Sequence, residues 1–378
     1  MEQKKRKKHG RGRAIAAAVV ALVLIAAAIL ALLYRDRLTS EGLSGAFAGE
    51  RTPEADTEPF TYEVGSDQVF AAAGNALAVA STTGIQLLDA KGHTIAREVF
   101  SMDTPAVSAS EACSTFFDVG GTALRVAAAD GTIAALDTEQ TILSAQVNDA
   151  GWIAVVTEES GYKAMVTVYN AALQPVYVWH SGAAYVLSAQ VSPDCRSMAV
   201  LCADDEGGLL HLFSLAQETP VGSFSAPGEL LMDLRWMDRD RVCLLSETRL
   251  VFVDGKGIEV GSYSLEGQYL LDYDLGGDGF AALLLGKYRS GGDSLLVTVD
   301  TSSGELGRTE VRQRDVVSIS AGEDTLLVLY SDALELMTRT LSPINSYTEI
   351  LGVKRALLRQ DGKCLLLSAY SAELIELH

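Results

Sequence analysis

The sequence is poor in the residues that most catalytic and disulfide-stapled proteins depend on. Its 378 residues include five His, five Cys and eight Pro, and only 7% are aromatic. The histidines (His9, His93, His180, His211 and His378) never pair at metal-ligand spacing, and HExxH is absent. No CxxC occurs, and an odd cysteine count fits no complete disulfide framework. Nucleophile-elbow GxSxG, phosphate-loop GxxxxGK[ST] and a full GxGxxG are all missing. Gly276-Gly277-Asp278-Gly279 falls in a strand-to-strand turn, and Asp204-Asp205-Glu206 lacks the D-x-D-x-D-G spacing of a calcium loop. These absences assign no catalytic residue, no metal ligand and no cofactor.

Basic charge is scarce beyond the N-terminus. Residues 1–13 hold seven Lys/Arg and one acid, leaving 23 basic and 48 acidic residues, a net of −25, for the rest. A body this acidic repels phosphate backbones, which argues against nucleic acid as a partner.

An uncharged run of 21 residues, Ala14 to Tyr34, follows the basic cluster. As a helix it reaches roughly 30 Å, the thickness of a bilayer core. Lys4, Lys5, Arg6, Lys7 and Lys8 lie on its N-terminal side and suit anionic lipid headgroups. The bias predicts a single-pass protein of the cell membrane, N-terminus cytoplasmic and the rest outside. The run exceeds a signal-peptide core of roughly 7–15 residues, so an uncleaved signal anchor is expected. Cleavage at Ala46-Phe47-Ala48 is the alternative. Residues 35–59 are small, polar and acidic, without periodicity, and read as a flexible linker.

From residue 60 to 378 the period belongs to strands. Short apolar runs are broken by Gly, Asp, Asn and Ser, and no convincing amphipathic helix of ten or more residues appears. The runs group in fours, in units starting near 69, 105, 142, 185, 229, 269, 315 and 353. Asp194, Asp238 and Asp278 mark the first turn of three units, and Asp149, Glu323 and Asp361 mark similar turns. Units of this length match propeller blades of four antiparallel strands. The last unit has three strands, and FTYEV at 60–64 is left over, so it is predicted to supply the missing outer strand and close the ring. The expected fold is an all-β propeller of eight blades, with seven as the alternative. Cys202, Cys243 and Cys364 fall at equivalent apolar places and read as small buried hydrophobes. A Cys195–Cys202 pairing stays open.

The segments AAADGTIAALDT (from Ala127), IQLLDAKGHTIAREV (from Ile85) and VTVDTSSGELGRTEV (from Val297) resemble the outer hairpin of WD40-like and quinoprotein-like propellers. The layout as a whole is similar to an uncharacterised family of signal-anchored propeller proteins of Gram-positive bacteria. That resemblance implies topology, not chemistry. The Trp-Asp pair of WD40 repeats does not recur, and only Trp179 stands where quinoprotein repeats carry Trp.

In a propeller, loops from fourth to first strand and from second to third gather on one face. Those loops carry His180, Tyr185, Tyr269, Arg312 and Arg314, and Tyr162, Lys163, Tyr288 and Arg289. Tyr and Arg combine large area with hydrogen bonding, as recognition surfaces require. These nine residues are the candidate ligand-binding set. The expected function is a membrane-tethered extracytoplasmic scaffold that binds an envelope protein or glycan. The alternative is a propeller enzyme acting on envelope glycan, or a quinone-dependent oxidoreductase.

Overall fold

The computed structural model describes residues 50–51, 54–55, 58–63, 65–289, 293–301, 304–311 and 314–377. The basic tail, the predicted span over 14–34 and Arg312 lie outside the described residues. Among those residues every regular element is a strand. Eight sheets, antiparallel except for one short edge strand, follow one another along the chain as eight blades. Blade 1 opens with Val69–Ala73, blade 2 with Pro105–Ala109, blade 3 with Ile142–Val147 and blade 4 with Tyr185–Val191. Leu231–Trp236, Tyr269–Gly277, Val316–Gly322 and Arg355–Leu358 open blades 5 to 8. Each is the inner strand of its blade, and the ring has eight blades, not seven.

Local turn chemistry sets the repeat. Asn148 Oδ1 accepts the N–H groups of Ala150 (3.1 Å) and Trp152 (2.9 Å), closing the first turn of blade 3. The cap is thus Asn148 rather than its neighbour Asp149. Asp238 and Asp361 do the same for Asp240 N (2.7 Å) and Lys363 N (3.2 Å). The outer hairpins repeat the device: Asp254 Oδ1 accepts from Lys256 N and Ile258 N, both at 2.9 Å. Gly257 in that hairpin has φ +79°, and a Cβ there would stand 2.3 Å from the Ser223 carbonyl oxygen. Only glycine fits the turn.

Burial grades outward. Second strands are enclosed on both faces by neighbouring blades: every residue of Ala76–Ser81 and Phe280–Gly286 is buried. They therefore read as unbroken apolar runs, as doubly covered strands do. Fourth strands such as Pro220–Pro227 alternate with solvent. The core lies in the seams between blades. Val156, Val166 and Val168 of blade 3 meet Met198, Val200 and Phe213 of blade 4. Phe213 is fully buried, worth roughly 1.5–3 kcal/mol of hydrophobic free energy.

The N-terminal segment closes the ring. Blade 8 has three strands of its own, and Phe60–Thr61 pairs antiparallel with the third, Ser371–Glu376 (Phe60 opposite Ala372). Phe60 and Tyr62 are buried in the seam between blades 8 and 1. Tyr62 donates its hydroxyl to the Ser368 carbonyl and sets its ring edge-on to Phe70, centroids 5.2 Å apart. Pairing reaches further back than residue 60, into the segment assigned to the linker. Glu54–Ala55 pairs with the same blade 8 strand, and Glu50–Arg51 runs parallel to Pro343–Thr348 of blade 7. Two-residue edge strands bond through backbone alone, so no side-chain pattern announces them.

Candidate binding face

The eight described residues of the candidate set fall into separate clusters. On blade 3, the Tyr162 and His180 rings meet at a tilt of 41° with centroids 4.7 Å apart. Beside them Lys163 lies 4.4 Å above the Tyr185 ring and donates to its hydroxyl at 3.1 Å. On blade 6, Arg289 sits over Tyr269 (5.3 Å) and Lys287 over Tyr288 (5.5 Å). These aromatics stay open, with Tyr288 60% exposed. Arg314 is turned inward instead. It stacks on Tyr330 at 3.5 Å and pairs with Glu335, which also accepts from the Tyr330 hydroxyl. Arg314 is therefore occupied within blade 7. Of the described members of the set, Arg289 lines the central channel.

A repeated distortion shapes the mouth of that channel. The inner strands of blades 3 to 7 each carry a β-bulge near their start. The unpaired residue is Leu143, Leu187, Met232, Leu271 or Val317, large and apolar every time. A bulge inserts a residue with no partner and re-aims its neighbours. Leu187, Met232 and Val317 are 38–40% exposed, and Leu143 and Leu271 are half-buried. The nearby loops add Leu230, Leu351 and Tyr370, all more than half exposed. The result is an apolar collar around the mouth. Its signal in the sequence is a recurring triplet of two apolar residues and Ser or Asp: ILS, VLS, LMD, LLD and VVS. Side chains in a bulged register cannot be sorted by simple alternation, so the triplet reads as ordinary strand.

The polar member of the triplet laces the blades together at the axis. Asp272 Oδ2 on blade 6 accepts the Ile319 N–H of blade 7 at 3.0 Å. Ser318 of blade 7 accepts the Ala356 N–H of blade 8 at 3.2 Å. Further down, Asp274 takes Ala321 N (2.9 Å) and Ser320 takes Leu358 N (3.0 Å). Tyr273 donates to Asp233 at 3.1 Å, joining blades 6 and 5. Burial holds the Asp233, Asp272 and Asp274 carboxyls above the usual carboxylate range. Each spends its oxygens on bonds that position blades, so these acids serve structure.

The channel has a volume of about 880 Å³ and is lined by residues of blades 3 to 8. Its wall carries those three carboxylates together with Arg235, Arg289, Lys354 and Arg355. Sequence reading reached Arg289 alone. The other three stand in or beside inner strands, where a lone basic residue carries no motif.

The five cysteines are free thiols. Cys202, Cys243 and Cys364 are fully buried, and burial pushes the Cys202 thiol up to about 12. Trp179 packs against Phe213 (5.0 Å) at the outer end of the seam between blades 3 and 4.

A protein family described as "Family of unknown function (DUF5711)" matches residues 60–268. That is more than half of the chain, which therefore belongs to this family. No curated protein matches the sequence. Among solved structures, the C-terminal WD40 domain of Sif2 is similar with a TM-score of 0.62 and 13% identity, covering 87% of this chain and 99% of its own. BamB from Moraxella catarrhalis is similar at 0.53 and 14%, covering 84% and 98%. The WD40 domain of Toxoplasma gondii coronin is similar at 0.51 and 14%, covering 84% and 88%. Identities this low show the fold alone, a β-propeller of the WD40 and BamB kind.

Proposed function

We propose that this member of the DUF5711 family is a membrane-tethered scaffold whose propeller docks a protein partner on the mouth of the channel. The observation that carries the reading is the bulge-built collar of Leu187, Met232 and Val317. Apolar side chains repeated at one place in blades 4, 5 and 7, and left in water, mark an interaction surface. Aromatic and cationic pairs flank the collar at Lys163–Tyr185 and Arg289–Tyr269. Such residues dominate binding energy when a partner desolvates them.

In this reading residues 14–34 span the membrane, Lys4 to Lys8 rest on anionic headgroups, and the ring faces the outside. The known WD40 and BamB-like relatives in fold are compatible with a binding module, and no catalytic constellation competes with it among the described residues. The channel acids are bonded to backbone amides, which favours the scaffold over a glycan-cleaving enzyme.

The test is in-cell cross-linking of tagged full-length chain, followed by identification of what is attached. One dominant envelope protein, lost when Leu187, Met232 and Val317 are changed together to Ser, supports the reading. Attachment unchanged by that triple substitution refutes it. Proteolysis of intact cells tests the topology: the ring must be cut from outside while an N-terminal tag is protected.

A further inference from the structure

Arginines on this acidic protein are mostly spoken for. Arg97, Arg125, Arg249, Arg308, Arg339 and Arg359 each pair with a carboxylate. Arg196 and Arg241 have no ion pair among the described residues, but Arg235, Arg289 and Arg355 share one cavity. Together with Lys354 they line the same channel wall, all exposed, and none forms an ion pair among the described residues. Arg289 is poised over Tyr269 instead. The acids that share the wall, Asp233, Asp272 and Asp274, are committed to Leu234, Ile319 and Ala321 backbone amides. Four cations without a bonded counter-ion therefore face one cavity of a chain whose formal net charge is −19. Asp233, Asp272 and Asp274 feel Arg235 and Arg355 through space, yet four cations against three carboxylates already bonded to backbone amides leave the wall with surplus positive charge.

We infer that the partner inserts an extended acidic polypeptide segment into the channel, its carboxylates met by Arg235, Arg289, Lys354 and Arg355. The inference rests on the protein-docking reading above and names the chemistry of the docked segment. The spread of the cations decides for a polypeptide. Arg235 lies on the inner strand of blade 5, Arg289 on a loop of blade 6, and Lys354 and Arg355 at the start of blade 8. Between them the wall is largely polar, with Gln146, Gln190, Tyr273 and Ser318, and Val317 is exposed to the same space. Charges set apart by hydrogen-bonding surface suit carboxylates and backbone amides spaced along an extended chain. A compact multiply charged group would need the cations gathered at one point. Arginine also takes carboxylates bidentately, which adds direction to the charge.

The test uses the full-length chain in nonionic detergent and fluorescence anisotropy. The probe is a short labelled peptide alternating Glu with Leu, with a peptide alternating Lys with Leu as control and inorganic pyrophosphate as competitor. The acidic peptide is expected to bind, the basic one not, and pyrophosphate to leave the complex intact. Changing Arg235 and Arg355 together to Gln should weaken binding about tenfold or more, and added salt should weaken it further. Arg235 and Arg355 lie in the field of Asp233, Asp272 and Asp274, so the melting temperature of the variant is read alongside, and Lys354→Gln should weaken binding with the melting temperature unchanged. Equal affinity for the two peptides, affinity unchanged by the double substitution, or displacement by pyrophosphate overturns the inference. The two levels come apart in cells. A partner that is retained by the Arg235→Gln, Arg355→Gln chain but lost from the collar variant leaves the docking reading standing and removes the acidic segment. Charge-selective peptide binding without any collar-dependent partner supports the acidic segment and removes the docking reading.

Discussion

Asp274 on the inner strand of blade 6 accepts the backbone N–H of Ala321 on blade 7 at 2.9 Å, while its other oxygen takes the Gly276 N–H of its own strand at 2.7 Å. One carboxylate thus does two jobs that a sheet cannot do for itself. It caps an irregular stretch of its own blade, and it fixes the distance to the next. Changing Asp274 to Ala strands the Ala321 N–H at a buried position. The expected loss is about 1–3 kcal/mol, the cost of a buried unsatisfied donor. Urea unfolding monitored by tryptophan fluorescence measures it, and a loss below a few tenths would show that the bond contributes nothing.

The same carboxyls give stability a pH signature. Asp233, Asp272 and Asp274 have pKa values raised by burial above the ordinary 3.8. The folded state then holds their protons more tightly than the unfolded chain does. Their contribution to stability rises as pH falls from neutral through the raised values, and the gain is complete below 3.8. Asp274→Asn carries no proton to gain. Relative to wild type, the variant should therefore be at its best near pH 7 and lose ground as the pH drops towards 4. A melting-temperature difference independent of pH would contradict this.

Closure of the ring depends on Phe60, buried against Leu77, Leu365 and Leu374 in the seam between blades 8 and 1. Phe60→Ala should cost about 3–5 kcal/mol, the usual range for a buried phenylalanine. Deleting residues 50–63 should cost more, because the outer partner of the blade 8 strand is removed as well. Differential scanning calorimetry decides, and an unchanged transition would mean that the ring holds without the N-terminal segment.

The collar makes the opposite prediction. Leu187, Met232 and Val317 are exposed and unpaired in their bulges, so Ser at each should shift stability by no more than about 0.5 kcal/mol. A large drop in melting temperature would assign these side chains to packing and not to recognition.

Thiol chemistry separates the cysteines. Cys243 and Cys364 are wholly enclosed, and burial raises both thiols. Cys195 is half-buried in the first turn of blade 4 and takes an N–H from Asn148 at 3.3 Å. Iodoacetamide on the native protein should label Cys195 well before Cys202, Cys243 or Cys364, read by mass spectrometry. Equal labelling would mean that the blades open readily.

The sequence by itself determined the repeat. Turn residues such as Asn148, Asp238 and Asp254 act on their own neighbours, so blade number and starts near 69, 105, 142, 185 and 269 are local information. The closing strand at Phe60 was legible too, because a three-stranded last unit leaves one edge to fill. Binding residues were less so. Arg314 and Arg289 look alike along the chain, yet one is clasped by Glu335 and Tyr330 and the other is open. The channel cations come from blades 5, 6 and 8, and their convergence exists only once the ring has closed. Hydrogen-bonded turns are settled within a few residues, whereas the counter-ion of a side chain is chosen by whatever the fold brings beside it. That choice, made across the seams and the axis, is what the tertiary structure alone decided.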